Sequence, residues 1–228
     1  MGLKLNVPRK IFLYFNTKEK INLGEILRFI RRNFGKIPTK IKKIDFVKTR
    51  GLIFDFLGTE NEFINKVSLR FRKPEFCHIA ITDKLFATYD DFKRLHIRAG
   101  IFGYPSVIST HGIVEGPARP RDYYFLKQKY AALGVWDIEE ERIKRRFKLR
   151  FIDYKDKRLT KVLLGYIAQG LFFFLTNEPF CKNKSCRLFN AHWQEDLIYS
   201  QIKNARFCLR HQRLLDILKK GVGGCAKE

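Results

Sequence analysis

The sequence predicts a single α/β domain whose last third is a separate, cysteine-containing subregion. Short runs of β-forming residues alternate with helical stretches up to residue 81, which is typical of layered α/β domains. A chain of 228 residues with 45% hydrophobic content can bury a sizeable core. No internal repeat and no linker divides the chain. We therefore predict one domain over residues 1–228, with an N-terminal α/β part over 1–75, a core over 76–180 and a tail over 181–212.

The N-terminal part supplies most of the predicted strands. Residues 11–15 are β-formers and predict a strand. Apolar side chains recur with helical spacing in Leu23–Phe34, and Asn22 is a residue type that caps helix N-termini. Further along, we predict strands over 44–47, 52–57 and 76–81 and a helix over 61–71.

The central part is less regular in pattern. Residues 82–125 are rich in Gly, Pro, Ser and Thr, so we predict a strand over 107–109 and irregular or extended chain around it. Long irregular segments in compact domains are often functional. Residues 137–158 carry dense charge and predict either a solvated helix or a basic contact arm. Beyond them we predict a strongly apolar helix over 159–175 and an amphipathic helix over 192–204.

The net charge of +23 comes from 46 Lys and Arg against 23 Asp and Glu. Such a field attracts polyanions or acidic surfaces, although a lysine-rich solvated surface is the other interpretation. Residues 31–50 contain eight basic residues, and residues 141–158 contain nine, interleaved with Phe147, Phe151 and Tyr154. This pattern suits single-stranded RNA, or equally an amphipathic element whose aromatic rings face inward. An RNA or ribosome partner is therefore one hypothesis.

Apolar segments and cysteines indicate where the protein resides. The apolar run over 11–15 is too short for a signal core, and that over 163–175 is short of the roughly 20 residues that span a bilayer. Five cysteines, an odd number, argue against a disulfide framework. We predict a cytoplasmic protein that does not enter a membrane.

Three cysteines and a histidine in the tail have the spacing of a metal site. Cys181 and Cys186 form one close pair, Cys208 and His211 form another, and 21 residues separate the pairs. Zinc prefers four N or S ligands in a tetrahedron, which two such pairs supply, so we predict one structural zinc ion. Iron is the alternative metal, and unrelated buried cysteines with a surface histidine are the alternative without a metal. Basic neighbours would favour thiolates: Lys182, Lys184, Arg187, Arg206 and Arg210.

The other two cysteines have no such partners in the sequence. Cys77 lies within an apolar strand pattern and is predicted to be a core residue. Cys225 lies in a Gly-rich tail and is predicted to be incidental to the metal site.

The tail resembles that of the archaemetzincins, a metallopeptidase family in which Cys-x4-Cys-x-Met leads to Cys-x2-Cys. Leu188 stands at the Met position and His211 at the last Cys position. The resemblance implies a metzincin-like domain with a mixed sheet. The catalytic motif of that family, HExxHxxGxxH, directly precedes the first cysteine and would cover residues 170–180. Its His, Glu and Gly positions fall on residues without that chemistry: Gly170, Phe174 and Phe180 for His, Leu171 for Glu, and Asn177 for Gly.

A closer resemblance covers most of residues 76–211. The segments ITDKLF, GYPSVISTHGIVEGPARPRDYY, GYIAQGLFFFL and CRLFNAHWQEDLIYSQI are similar to an archaeal family of metallopeptidase relatives. No His in the chain is followed by Glu, so HExxH is absent, and zinc peptidases need that motif. The resemblance thus implies an archaemetzincin-like zinc-binding protein that has lost peptidase activity and binds a partner in the former cleft.

A rebuilt hydrolase site is the third hypothesis. Three residues of the irregular segment, His111, Glu115 and Arg119, are candidates, since functional residues concentrate in loops. His192 and Glu195, three residues apart, would share a helix face and could bind a metal or exchange protons. The structural alternative makes Asn190 a helix cap, packs His192, places Glu195 in the first turn, and pairs Arg119 with Glu115. The full candidate set is His111, Glu115, Arg119, Tyr123, Tyr124, Asn190, His192 and Glu195.

Overall fold

The computed structural model describes residues 5–44, 73–89 and 91–224. The strands are β1 (Lys10–Asn16), β2 (Thr39–Lys43), β3 (Phe76–Thr82), β4 (Phe86–Tyr89), β5 (Leu95–Arg98), β6 (Gly100–Ile101) and β7 (Ser106–Ser109). The helices are α1 (Leu23–Phe34), α2 (Thr110–Glu115), α3 (Arg121–Ala132), α4 (Trp136–Phe147), α5 (Leu159–Thr176), α6 (Gln194–Ile198) and α7 (Leu209–Gly224). A π-helical segment, Tyr199–Asn204, continues α6.

A mixed sheet forms the centre of the described chain. Its strand order is β2-β1-β3-β7-β6, and all neighbours are parallel except β6, which runs antiparallel to β7 at the edge. The register sets Leu13 of β1 between Ile41 of β2 and Ile79 of β3. A separate antiparallel pair joins β4 to β5. Strand β6, at the edge of the sheet, also borders a cleft.

Helix α1 has the predicted bounds. The Oδ1 atom of Asn22 accepts a hydrogen bond of 3.0 Å from the backbone N–H of Glu25, which satisfies a donor that the first turn would otherwise leave free. The predicted apolar stripe buries Ile26, Ile30 and Phe34. These three side chains pack with one face of the sheet, which positions α1 over it.

Helix α5 is the core helix and covers the same face of the sheet as α1. Fifteen of its residues are buried, and eleven of them belong to the cluster that contains Ile11, Leu13 and Ile79. By length and composition this helix could cross a membrane, but 83% of it lies buried inside the protein. The predicted apolar helix over 159–175 is confirmed. On the opposite face of the sheet a smaller cluster contains Tyr14, Ala80, Phe86 and Val107.

Residues 82–125 are more regular than the sequence indicates: the predicted strand over 107–109 is confirmed as β7 and further extended strands precede it, but α2 and the start of α3 stand where irregular chain was predicted. They contain β4 to β7, α2 and the start of α3. The strands are short, and much of β5 is exposed, so apolar alternation is weak. Helix α2 packs closely because Gly112 has no side chain: a Cβ atom there would lie 2.3 Å from the carbonyl oxygen of Arg98.

The charged segment over 137–158 begins as a helix, α4, rather than an extended arm. Phe147 and Phe151 turn inward and pack with Tyr123 of α3 and Ile143. Of the three interleaved aromatic residues, Tyr154 alone is exposed. The prediction is therefore confirmed for a solvated helix with inward-facing phenylalanines.

Some of the predicted elements cannot be compared with the structure, because they lie wholly or partly outside the described residues. Predicted strands at 44–47 and 52–57, the predicted helix at 61–71, and Cys225 fall outside the described residues or reach beyond them. Cys77 is buried in the core, as predicted. Helix α7 lacked a clear sequence signal and was not predicted.

Candidate metal centre and cleft

The four predicted ligands come together at one point. The Sγ atoms of Cys181, Cys186 and Cys208 and a ring nitrogen of His211 all lie within 4.8 Å of one another. The Cys181 and Cys208 sulfurs are 3.9 Å apart, and His211 Nδ1 lies 3.5 Å from the sulfur of Cys186 and 3.0 Å from that of Cys208. In a tetrahedral zinc site, bonds of about 2.3 Å to sulfur and about 2.0 Å to nitrogen separate two sulfurs by about 3.8 Å. The group therefore fits one tetrahedral metal ion.

A tight turn positions the first cysteine pair. The backbone N–H of Cys186 donates to the carbonyl of Asn183 at 2.9 Å, and the Asn183 side chain accepts from Ser185 N–H at 2.8 Å. Backbone N–H groups also point at the sulfurs: Asn183 donates to Cys181 and Cys208 donates to Cys186, each at 3.4 Å. Such bonds stabilise thiolates, which are the ligand form of cysteine.

The second pair lies at the start of α7. Ala205, in the left-handed region with φ of 52°, ends the π-helical segment and turns the chain back toward the first pair. Cys208 directly precedes the helix, and His211 occupies its first turn. The imidazole is only 2% exposed and lies against α5. The candidate metal centre thus lies where the tail meets the core helix.

Burial disfavours the charged thiolate form of two of the cysteine ligands. It raises the pKa of the Cys186 thiol to about 12 and also raises that of Cys181. For Cys208, burial acts in the same direction, but N–H groups, His211's backbone first, outweigh it and lower the pKa. Burial and then the Arg210 charge lower the pKa of His211, which keeps its nitrogen free as an acceptor. A divalent cation would favour the thiolates that burial disfavours.

Arg187 is a buried cation beside this centre, 6% exposed. Its Nε and one terminal nitrogen donate to the carbonyl of Ala205 at 3.2 and 2.9 Å, and its guanidinium lies 5.1 Å from the ring centre of Phe29. Burial lowers its pKa to about 10, so it remains charged at neutral pH. Three thiolates around a divalent ion carry one net negative charge, which Arg187 can balance.

The other predicted basic neighbours are placed differently. Lys184 pairs with Asp196 at 3.4 Å and Arg210 with Glu178 at 2.7 Å, all near the surface. Lys182 and Arg206 are exposed. Of the five basic neighbours, Arg187 is therefore the one buried against the ligands.

The positions that would carry the His and Glu residues of a peptidase have apolar side chains or, at Gly170, no side chain. Leu171 and Phe174 are 1% and 3% exposed within the core. Gly170 faces the sheet, where an added Cβ would meet Ile79 at 3.1 Å and Ser106 at 3.4 Å. Asn177 ends α5 in the left-handed conformation, with φ of 58°, that its glycine-equivalent position favours. Phe180, at the third His position, is 42% exposed.

Phe180 borders a cleft of about 380 Å³ beside the edge strand β6. Its ring meets that of Phe102 edge to face, with centroids 5.5 Å apart. The walls come from the β4–β5 pair, β6 and the chain after it, the residues that follow α2, α5 and the chain after it, and the segment before α6. The lining residues are Thr88, Ile97, Arg98, Ala99, Gly100, Ile101, Phe102, Gly116, Pro117, Tyr166, Pro179, Phe180, Asn190, Ala191 and His192.

The candidate hydrolase residues are divided between this cleft and other places. His111 of α2 packs its ring edge to face with Tyr154, and Glu115 accepts a hydrogen bond of 2.9 Å from the Tyr154 hydroxyl. Arg119 donates to the hydroxyl of Tyr123 at 2.6 Å and stacks on that ring and on Phe151. The predicted pairing of Arg119 with Glu115 does not occur among the described contacts.

His192 and Glu195 do not share a helix face, so that prediction is wrong. Helix α6 begins at Gln194, one residue beyond the extended Trp193, which leaves His192 outside it. His192 and Asn190 border the cleft, whereas Glu195 in the first turn pairs with Arg150 at 2.9 Å. Asn190 is therefore not a cap, but the first-turn position of Glu195 is as the structural alternative predicted.

Gln194 is the residue in this region that the sequence analysis missed. Fully buried, it accepts from Ile152 N–H at 3.0 Å and donates to the carbonyls of Ile113 and Val114 at 2.9 and 3.1 Å. It therefore fastens α2 and the chain before α5 to the start of α6. Its signal in the sequence is a glutamine on a helix face whose other residues are mostly apolar.

Comparisons with known proteins agree with this fold. The family model described as "Probable metallopeptidase family (DUF6775)" matches residues 40–218. The crystal structure of archaemetzincin from Methanopyrus kandleri is similar, with a TM-score of 0.51 and 14% identity over 94% of this chain and 97% of that chain. A zinc-dependent peptidase from Methanocorpusculum labreanum has a TM-score of 0.50 and 12% identity, over 90% of this chain and 99% of that chain. No curated protein matches. These likenesses confirm the predicted metzincin-like α/β fold with a mixed sheet.

Proposed function

This chain belongs to the probable metallopeptidase family whose model it matches, and we propose that it is a member of that family without peptidase activity. A structural zinc ion stabilises it, and an extended peptide segment of a protein partner occupies its cleft. The observation that carries this proposal is the burial of Leu171 and Phe174 at the positions of the catalytic Glu and a His ligand. Hydrocarbon side chains neither bind zinc nor act as a general base.

The chemistry of the donor set supports zinc in the tail. Three sulfurs and one imidazole nitrogen complete a tetrahedron, so no position remains open for water or substrate. Zinc bound there would contribute folding free energy and no catalysis. Among the described residues, no second group of three or more His, Cys, Asp or Glu side chains is placed to share an ion.

The shape of the cleft supports peptide binding. Strand β6 is the outer strand of the described sheet and lines the cleft, and an exposed strand edge can pair with an extended peptide. The rings of Phe102 and Phe180 provide an apolar wall. Gly100 lets the rings of Phe102 and Tyr166 pack directly on the strand, because a Cβ atom there would lie only 3.1 Å from Phe102 and 3.4 Å from Tyr166.

Blocking the cleft tests peptide binding. The zinc-loaded protein is mixed with a pool of random peptides, and bound peptides are separated with the protein and quantified by mass spectrometry. Gly100→Phe should displace the rings of Phe102 and Tyr166, close the cleft and abolish retention, and thermal melting checks that the variant keeps its fold. Gly221→Phe is the matched control, since its Cβ would meet open space. Equal retention by both variants would place any binding elsewhere on the surface.

Metal content and peptide hydrolysis together test whether peptidase activity is absent. Elemental analysis of protein purified without added metal should give one zinc per chain, and the peptide pool should remain uncut. Two metals per chain, with cleavage, would favour the rebuilt hydrolase instead. The separation of His192 from Glu195 gives that alternative little support.

The RNA hypothesis rests on the charge of +23 and on exposed basic residues of α4. Burial of Phe147 and Phe151 removes two of the three rings that would have stacked on bases. Binding of single-stranded RNA that weakens steeply with salt would support this alternative, because phosphate contacts release counterions. Peptide retention that Gly100→Phe abolishes would instead support the cleft.

A further inference from the structure

The cleft lining carries basic side chains and, in the part of the chain that the structure describes, no carboxylate. Arg98 and His192 are the basic residues of its lining, and none of the described lining residues is Asp or Glu. A carboxylate entering this space would therefore meet a cation and no repulsion. A second basic group would meet an uncompensated positive charge, which costs binding free energy.

Arg98 is held in position for an incoming anion. Its Nε donates a hydrogen bond of 2.7 Å to the hydroxyl of Thr88, which lines the same cleft. This bond crosses the β4–β5 pair and fixes the guanidinium at that wall. No other hydrogen bond or ion pair engages this guanidinium among the described residues, so its terminal N–H groups remain for a ligand.

The rest of the lining indicates which kind of side chain lies beside the carboxylate in a bound peptide. Phe102, Phe180 and Tyr166 form an apolar surface next to Gly100 of the edge strand. Such a surface accommodates an apolar side chain, while the strand edge provides backbone partners for a peptide. The cleft thus combines one cation with apolar walls and the outer strand of the described sheet.

We propose that the cleft selects peptides that bear a carboxylate beside an apolar residue, and that Arg98 binds this carboxylate through charge-assisted hydrogen bonds. This inference rests on the proposed function, since it names the chemistry of the peptide that occupies the cleft. Arginine suits the role because its planar fork can hold both oxygens of a carboxylate. The carboxylate is either an acidic side chain or the C-terminus of the partner.

The test uses random peptides in four forms, with Glu or Gln fixed at one central position and with either a free or an amidated C-terminus. Zinc-loaded protein is incubated with each pool, and the retained peptides are quantified by mass spectrometry. Wild type should retain one carboxylate form roughly 10- to 100-fold more than its neutral counterpart, as loss of a charged hydrogen bond implies. Preference for Glu assigns the acidic side chain, and preference for the free terminus assigns the C-terminus.

Variants separate this contact from general attraction to a basic protein. Arg98→Gln should remove the preference for the carboxylate form over its neutral counterpart. Arg145→Gln removes the same charge from the exposed face of α4 and should keep the preference. Arg98→Lys keeps the charge but not the planar fork, and it should show an intermediate preference. This second variant keeps the test informative if the glutamine variant does not fold. Thermal melting of each variant checks the fold.

The outcomes distinguish the two proposals. Retention of peptides in a Gly100-dependent manner without carboxylate preference would overturn the role of Arg98 and leave the cleft as a binding site. A preference that Arg145→Gln weakens as much as Arg98→Gln would also overturn it, because the attraction would then be general. No retention of any pool would overturn the proposed function itself.

Discussion

The imidazole of His211 meets the ring of Phe172 edge to face, with centroids 5.2 Å apart and planes at 89°. Phe172 belongs to the core helix α5, and His211 is a ligand of the candidate metal centre. The contact therefore joins the candidate metal centre to the main core, so loss of a bound ion should also disturb core packing.

The first prediction concerns the buried ligand Cys186. Cys186→Ser should lose the bound zinc and unfold the tail, because a serine hydroxyl does not replace a thiolate on zinc. We expect a loss of at least about 4 kcal/mol in the free energy of unfolding, measured by chemical denaturation together with metal content. Cys77→Ala is the control, since Cys77 is equally buried but lies outside the cluster. A serine variant that melts like wild type would refute the metal site.

The second prediction concerns the buried guanidinium of Arg187. Arg187→Gln should lower zinc affinity by about 10- to 100-fold, the usual effect of losing a partner just outside the ligands. Competition with a coloured chelator measures this affinity. Arg206→Gln removes the same charge from an exposed position nearby and should have a small effect. Equal effects from both variants would show that total charge matters and that burial of Arg187 does not.

The third prediction concerns Leu171, at the position of the catalytic Glu. Leu171→Glu should damage packing, because it buries a carboxylate in the core at a site that is 1% exposed. A loss of about 3–5 kcal/mol in unfolding free energy is expected, with one zinc per chain retained and no peptidase activity gained. Lys161→Glu, on the exposed side of the same helix, is the control. Peptide cleavage by Leu171→Glu would show that a catalytic site persists.

The fourth prediction concerns pH and the ion pair between Arg158 and Asp156, whose closest atoms are 2.6 Å apart. Burial alone would raise the pKa of Asp156, but the hydrogen bonds from Arg158 outweigh it and hold that pKa below its usual value. The stabilisation is therefore complete above the unfolded-state pKa and disappears as pH falls through the lower folded-state pKa.

The test compares wild type with Asp156→Asn in urea denaturation from neutral pH down to about pH 3. The variant should be less stable by about 1–3 kcal/mol at neutral pH, and the gap should narrow only in acid. Asp137→Asn, at an exposed carboxylate, should show no comparable gap. A gap for Asp156→Asn that stays constant down to the lowest pH would contradict the assignment.

The parts of the fold that sequence predicts best are those where local signals agree. Helix α1 has a cap at Asn22 and a complete apolar stripe, so both of its ends match the structure. The short β4–β5 pair lacks this agreement, because the exposed Leu95 and Ile97 give no clear apolar alternation. Helix α6 begins two residues later than predicted, since the extended Trp193 precedes it.

The candidate metal centre was predictable because its ligands form two close pairs in sequence, Cys181 with Cys186 and Cys208 with His211. The cleft was not, because Arg98, Gly100 and Phe180 meet only through the tertiary fold. A single arginine or glycine carries no signal of such an encounter. The position of Arg187 next to a cysteine indicates that it lies near the ligands, but its burial depends on the carbonyl of Ala205 and the ring of Phe29.

The two cysteine pairs also have a consequence for how the chain folds. A metal held by both pairs ties together the ends of a loop, and 21 residues lie between Cys186 and Cys208. A cross-link of this kind reduces the conformational freedom of the unfolded tail, as a disulfide does, yet it forms without an oxidant. Helix α7, which begins beside the ligands and contacts α1, would then dock as the ion binds. Zinc supply would thus control how long newly synthesised tail stays open to proteases.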